Sequence, residues 1–287
     1  MLLSLLIINS TNPQKIYALE TVSIKGYTYV PVDFNPGHQS PDGVIEGWFL
    51  IIGINDYEDP ITNIQGAVQS AERWYNFLKQ KGYQSVSAPQ YEILTDTRAT
   101  SDNFWEFLEK LLAKEEPDDY VVFIFCGHGG YDPSDDVSYI ILHDGWAVTS
   151  DELAEIFSTW LDSDHVFIYF EACQIGRMSK IAETRDEVYV AMASDTSHLA
   201  YSNYFPDVGD FMGVFTYYFL VRVLENDPDM ALQDVFDEAK SLIINEWNTE
   251  HPDMEMNPID ADSTSAPLVL INVPVHYDYP PPPPSPY

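Results

Sequence analysis

Tyr120-Val-Val-Phe-Ile-Phe-Cys126 runs directly into Gly127-His128-Gly129-Gly130, and His165-Val-Phe-Ile-Tyr-Phe170 runs into Glu171-Ala172-Cys173-Gln174-Ile175-Gly176. Short apolar runs rich in β-branched and aromatic residues, closed by glycine, read as buried parallel strands. In an open α/β sheet, ligands sit at the carboxyl ends of the strands. Two such strands lying side by side would bring an imidazole and a thiol to one rim, and that is a nucleophile with its base.

The pattern around these strands is regular. Trp48-Phe-Leu-Ile-Ile-Gly-Ile54 is a first buried strand. Residues 63–81 carry Ala67, Val68, Ala71, Trp74, Tyr75 and Leu78 at helical spacing, stopped by Gly82. Tyr91-Glu-Ile-Leu94 reads as a short strand. A helix follows from Ser101, with Phe104, Phe107, Leu108, Leu111 and Leu112 on one face and its cap at Thr100 or Ser101. Ser138-Tyr-Ile-Ile-Leu-His143 reads as a small hairpin element, and a helix is expected over 150–161. Val188–Ala193 is a further strand, 213–225 and 231–247 are helices, and Leu268–Asn272 is a final strand. Strands alternating with helices predict an α/β three-layer sandwich, with a mainly parallel sheet of about six strands flanked by helices.

Three segments follow along the chain. Residues 1–46 are a lead-in or pro-segment with β character, in which Thr21-Val-Ser-Ile and Tyr27-Thr-Tyr-Val-Pro alternate like strands. Asn35–Gly43 is dense in turn formers. Residues 47–273 hold the sheet. Residues 274–287, ending Tyr277-Asp-Tyr-Pro-Pro-Pro-Pro-Pro-Pro-Ser-Pro-Tyr287, read as an exposed polyproline tail. Met1–Ile8 is apolar but far too short to span a bilayer. It reads either as a plain strand, which we prefer, or as a clipped signal peptide, so cytoplasmic and secreted settings both stand.

Composition bounds the partners. With 13 Lys+Arg against 46 Asp+Glu, the net charge of −33 argues against nucleic acid or an anionic membrane surface as partner, and no segment reads as long and apolar enough for membrane insertion. Basic peptides would be attracted. The same acidity also suits a salty habitat, where screening relieves self-repulsion. The two cysteines, Cys126 and Cys173, set no disulfide framework.

A thiol is mostly protonated at neutral pH, and a nearby imidazole helps supply the thiolate. Gly127 permits a tight turn after the strand, and Gly129 lets a backbone N–H approach a substrate carbonyl. The N–H groups of Gly129 and Cys173 are candidates for an oxyanion hole. Cys126, in mid-strand company, reads as a core residue. Cys126, His128, His143 and Cys173 have the atom types of a metal site but none of its spacing, so no metal or cofactor is expected.

Phe-Cys-Gly-His-Gly-Gly and Tyr-Phe-Glu-Ala-Cys-Gln-Ile-Gly-Arg-Met resemble the paired His and Cys motifs of the caspase–hemoglobinase class of cysteine peptidases. Glu171-Ala172-Cys173, with Gly176 and Met178, is most similar to legumain. Ile51-Ile-Gly-Ile-Asn-Asp-Tyr57, Gly66-Ala67 and Gly213-Val-Phe-Thr-Tyr-Tyr-Phe-Leu220 look more like bacterial and archaeal caspase or metacaspase domains. The resemblance covers residues 47–272 and implies His128 as general acid/base and Cys173 as nucleophile.

It also implies a specificity pocket. Legumain's two acidic pocket residues match Glu171 and Asp210, and Ser194 joins them in the substrate-binding set. Where legumain has a basic partner this chain has Gln65-Gly66, and the arginines behind the caspases' taste for aspartate are missing too. Carboxylates without a cation should prefer Arg or Lys in the substrate. Asparagine specificity, peptide ligation and a silent binding module are the alternatives. Glu171 could instead cap a backbone group, and Asp210 could be one surface acid among many. Arg177–Arg185 lies where caspase relatives are cut, and Lys180 or Arg185 would suit self-processing, although a plain surface connector explains the stretch as well.

Overall fold

The computed structural model describes residues 17–18, 24–28, 30–86 and 92–274. The expected Met1–Ile8 strand, Tyr91 and the polyproline tail from Tyr277 lie outside these. The main elements in chain order are β1 (Gly47–Gly53), α1 (Ala67–Gln80) and α2 (Ser101–Leu112). Next come β2 (Tyr120–Cys126), β3 (Gly129–Asp132), β4 (Val137–Ile141), β5 (Trp146–Thr149) and α3 (Ser150–Trp160). Then follow β6 (Val166–Glu171), β7 (Val188–Met192), β8 (Tyr201–Phe205) and β9 (Asp210–Gly213). A helix α4 over residues 214–224, wound as π-helix from Tyr217, α5 (Leu232–Leu242) and β10 (Ile259–Asp262) complete the set.

The central sheet has the order β10-β7-β6-β2-β1, with two-residue strands Gln84–Ser85 and Leu94–Thr95 both on the outer side of β1. All pairs are parallel except β10 against β7. Both faces are covered, so the central strands read as continuous apolar runs without alternation. On one face Trp74 of α1 packs on Phe167 and Tyr169, and Phe219 of α4 stacks on Phe167. On the other, Phe104 of α2 and Phe157 of α3 meet Phe123. This is the expected three-layer α/β architecture.

One expectation needs correction. Leu268–Asn272 is not a strand, although Leu268 and Leu270 are buried. The last strand is Ile259–Asp262, whose alternating burial marks it as the exposed edge. The Ser138–His143 element belongs to a β3-β4-β5 meander, joined in parallel by Gly26–Tyr27. The turn-rich Asn35–Gly43 stretch has no regular element. Its backbone is fastened to carboxylates instead: the N–H groups of Asn35, Gln39, Asp42 and Glu46 donate to Glu109, Asp162, Glu116 and Asp119.

What positions the site is the register. In β1-β2-β6, Gly53 faces Cys126 and Cys126 faces Glu171, so three strands end level at one rim. Just beyond, the Gly127 N–H donates to the Glu171 carbonyl. The His128 and Cys173 segments therefore leave the sheet side by side.

Candidate active site

His128 is fully enclosed and held at three points. Its backbone N–H donates to the Tyr57 hydroxyl at 2.8 Å, and the two rings lie 4.7 Å apart. Its Nε2 is 2.7 Å from the Thr62 carbonyl oxygen. A carbonyl can only accept, so Nε2 carries the proton and Nδ1 keeps its lone pair in the neutral ring. Nδ1 has no hydrogen-bond partner among the described residues. Burial lowers the imidazole pKa, with the bond to Thr62 pulling the other way. The ring is thus a neutral base with its free nitrogen fixed.

The loop that offers Thr62 is built around Asn55. Helix α1 begins at Gly66 in the left-handed region, φ 98°, and has no cap of its own. Asn55 caps it from a distance, its Oδ1 accepting from the Ala67 and Val68 N–H groups at 2.9 and 3.2 Å. Its carbonyl also receives the Ile64 N–H. Neither Tyr57 nor Asn55 was assigned a role from sequence. Both stand in the quoted Ile51–Tyr57 stretch, and the signal available was a polar loop directly after a buried strand.

Cys173 is buried on the facing loop. Its Sγ accepts from the Ala200 N–H at 3.2 Å and lies 3.6 Å from the Ala200 carbonyl. Gln174 follows with φ 54°, an uncommon conformation for a non-glycine residue. It is fastened on both sides, its N–H to the His198 carbonyl and its carbonyl to the Ser138 hydroxyl. Gly129 is a point of close approach between the loops. A Cβ there would lie 2.9 Å from the Ala172 Cβ and 3.0 Å from the Cys173 carbonyl oxygen, so any larger residue would push the loops apart.

The remaining sequence candidates separate. Glu171 is enclosed, and its Oε1 accepts the Thr216 N–H at 2.7 Å, the backbone-capping role weighed from sequence. Its Oε2 has no hydrogen-bond partner among the described residues. Burial raises its pKa, while Ser70, Thr216 and Cys126 favour the charged form. Gly213 presses on it, since a Cβ there would fall 1.9 Å from the carboxyl carbon. Ser202 pairs with Gly213 across the β8-β9 hairpin, so its side chain points to the same face as that missing Cβ.

Asp210 is not brought to this carboxylate. It lies three residues back along β9, about 10 Å away at strand rise. It is exposed and accepts only from the Phe211 N–H in the described contacts. Ser194 is fully buried and donates to the Ala172 carbonyl at 2.9 Å, which fixes the Cys173 loop from behind. Cys126 is enclosed beneath Glu171, and burial raises its pKa well above the usual thiol range. The His143 ring is committed to the Asp56 carbonyl. Among the described residues no group of His, Cys, Asp and Glu is arranged to hold a metal, and no helix is long and apolar enough to cross a membrane.

The Arg177–Arg185 stretch is folded, not extended. Lys180 opens a short helix, Lys180–Thr184, and pairs with Asp151. The Arg185 guanidinium donates to the Leu161, Ser163 and Asp186 carbonyls. Cleavage after either residue would require this segment to unwind.

Comparison with known proteins agrees with the fold. The crystal structure of protein GSU0716 from Geobacter sulfurreducens superposes with a TM-score of 0.56 at 16% identity, over 80% of this chain and 98% of that one, which shows a shared fold. No curated protein matches. The family profile described as the caspase domain matches residues 46–261, a span that includes both motif strands, and the chain belongs to the caspase-domain family of peptidases.

Proposed function

We propose that this protein is a cysteine endopeptidase in which Cys173 is the nucleophile and His128 the acid/base, cutting after Arg or Lys. One observation carries the reading. The level ends of β2 and β6 set the two motif loops side by side, with His128 Nε2 tied to Thr62 and Nδ1 left as the only basic nitrogen. In the reaction, Nδ1 takes the thiol proton as sulfur attacks the carbonyl carbon of the cut bond. The oxyanion formed is received by N–H groups of the Gly129 and Cys173 region. Collapse breaks the C–N bond, the His128 proton goes to the leaving amine, and a thioester remains. Water, deprotonated by the same nitrogen, then releases the acid.

The basic preference rests on Glu171. Its Oε2 is a buried acceptor without a donor among the described residues, and a guanidinium or ammonium would supply both charge and hydrogen bonds. A cleft of about 480 Å³ between the 55–65 loop and Phe211 is lined by Asp56, Gln65 and Gln69, with no Lys or Arg among its described lining residues. A panel of fluorogenic peptides differing only in the residue before the cut tests the proposal. Arg and Lys peptides should turn over roughly 100-fold faster than Asn or Asp peptides. Equal turnover of Arg and Asn peptides would remove Glu171 from the specificity reading.

A further inference from the structure

One edge of β8 pairs with β9, and the other pairs antiparallel with Tyr17–Ala18, with Tyr17 facing Ser202 and Ala18 facing Tyr201. No other described residues cover that edge. An uncovered strand edge is a template for any extended peptide, because its backbone N–H and C=O groups need partners. This edge also has an address. Ala200, just before β8, contacts the Cys173 sulfur with both its N–H and its carbonyl. The order of the pairing means that a strand held in this register runs toward the thiol, and its next residue would face Ala200.

We propose that the chain's own N-terminal segment, through Tyr17–Ala18, occupies the strand position that a substrate must take, and so holds the enzyme closed. The inference rests on the reading of Cys173 as the nucleophile. A substrate strand and residues 17–18 need the same backbone groups of Tyr201 and Ser202, so binding is exclusive. Tethering gives the segment a high effective concentration, which makes it a strong competitor even through the two described pairs. Release of the segment by a partner or by cleavage would then be the activating event.

The test uses the full chain carrying Tyr17→Pro and Ala18→Pro together, since proline cannot donate to a strand ladder. In a Cys173→Ala background, amide exchange at residues 200–203 should rise roughly tenfold or more, while amides of β6 stay protected and report an intact fold. With Cys173 present, kcat/KM on an arginyl peptide should rise roughly tenfold or more, and a synthetic peptide of residues 12–23 should reverse both effects. Unchanged exchange at 200–203, or faster exchange with unchanged turnover, would overturn the proposal. If exchange rises but neither chain cleaves any peptide or is labelled at Cys173, occupancy of the edge stands and the peptidase reading fails.

Discussion

Glu115 and Glu171 are both enclosed carboxylates, set at opposite rims of the same sheet. At the rim where the strands begin, Glu115 accepts the N–H groups of Asp162 and Ser163 at 2.8 and 2.7 Å, one on each oxygen, with Arg185 nearby. At the rim where they end, Glu171 accepts the Thr216 N–H on one oxygen, and the other has no hydrogen-bond partner among the described residues. His128 Nδ1 and Ser202 Oγ, near that same rim, are also buried without partners among the described residues. A buried polar atom without a partner costs about 1–3 kcal/mol. In the function proposed above, Glu115 with both oxygens engaged is a structural acid, and Glu171 with one oxygen open is the specificity acid.

The comparison breaks most visibly at Glu171. Glu171→Gln should lower kcat/KM on arginyl peptides about 100-fold, with a much smaller effect on asparaginyl peptides, because only a cation loses its counter-charge. Equal losses on both would make Glu171 a structural acid like Glu115.

Tyr57→Phe comes next. It removes the acceptor of the His128 N–H without touching the imidazole. We expect kcat to fall roughly tenfold with KM little changed, as for a residue that positions the base. A matched fall in kcat and in thermal stability, with an unaltered pH profile, would assign Tyr57 to packing alone.

Glu115→Gln should leave specificity alone and cost about 1–3 kcal/mol at pH 5, since an amide cannot accept both N–H groups. Burial raises the Glu115 pKa from 4.5 to about 7. A carboxyl raised on folding is held protonated in the native state while the unfolded chain ionises. Its contribution is therefore fully present below pH 4.5 and lost as pH rises toward 7. Urea titrations across that window should show wild type losing stability relative to Glu115→Gln. Parallel profiles would contradict it.

The smallest effect sharpens the same contrast at the helix that bears the His128 loop. Asn55→Ala removes the remote cap of α1 and should cost about 1 kcal/mol. It should also lower kcat more than a comparable cap loss at Thr149, which caps α3 through Glu152 and makes no hydrogen bond to Thr62 or Asn55 in the described contacts.

Much of this was legible in the sequence where the pattern was local. The continuous apolar runs of β1, β2, β6 and β7 marked a covered parallel sheet, and glycine after each motif strand marked the rim. The legible part ended where tertiary context decides. Leu268 and Leu270 are as apolar as any strand residue, yet they fill space beside α5, and the Leu268 carbonyl receives the Leu232 N–H. Ile259-Asp-Ala-Asp262 looks too polar for a sheet, but an edge strand buries only one face. The β8-β9 hairpin, Tyr201–Gly213, carries mixed polar and aromatic residues and gave no periodic signal. Asp210 was drawn toward Glu171 by its motif, while the strand rise along β9 carries it away. Tyr57 and Thr62 reach His128 from 71 and 66 residues earlier, a separation that no local pattern encodes.

The account's central claim is that Cys173, served by His128, attacks a peptide carbonyl held next to a basic side chain. Intact-mass measurement after exposure to an arginyl acyloxymethyl ketone tests it most directly, on wild type and on the Tyr17→Pro/Ala18→Pro chain. One adduct mapping to Cys173, absent from Cys173→Ala, slowed in His128→Ala and faster in the proline chain, is the predicted result. An adduct on Cys126, or none on either chain, would contradict it.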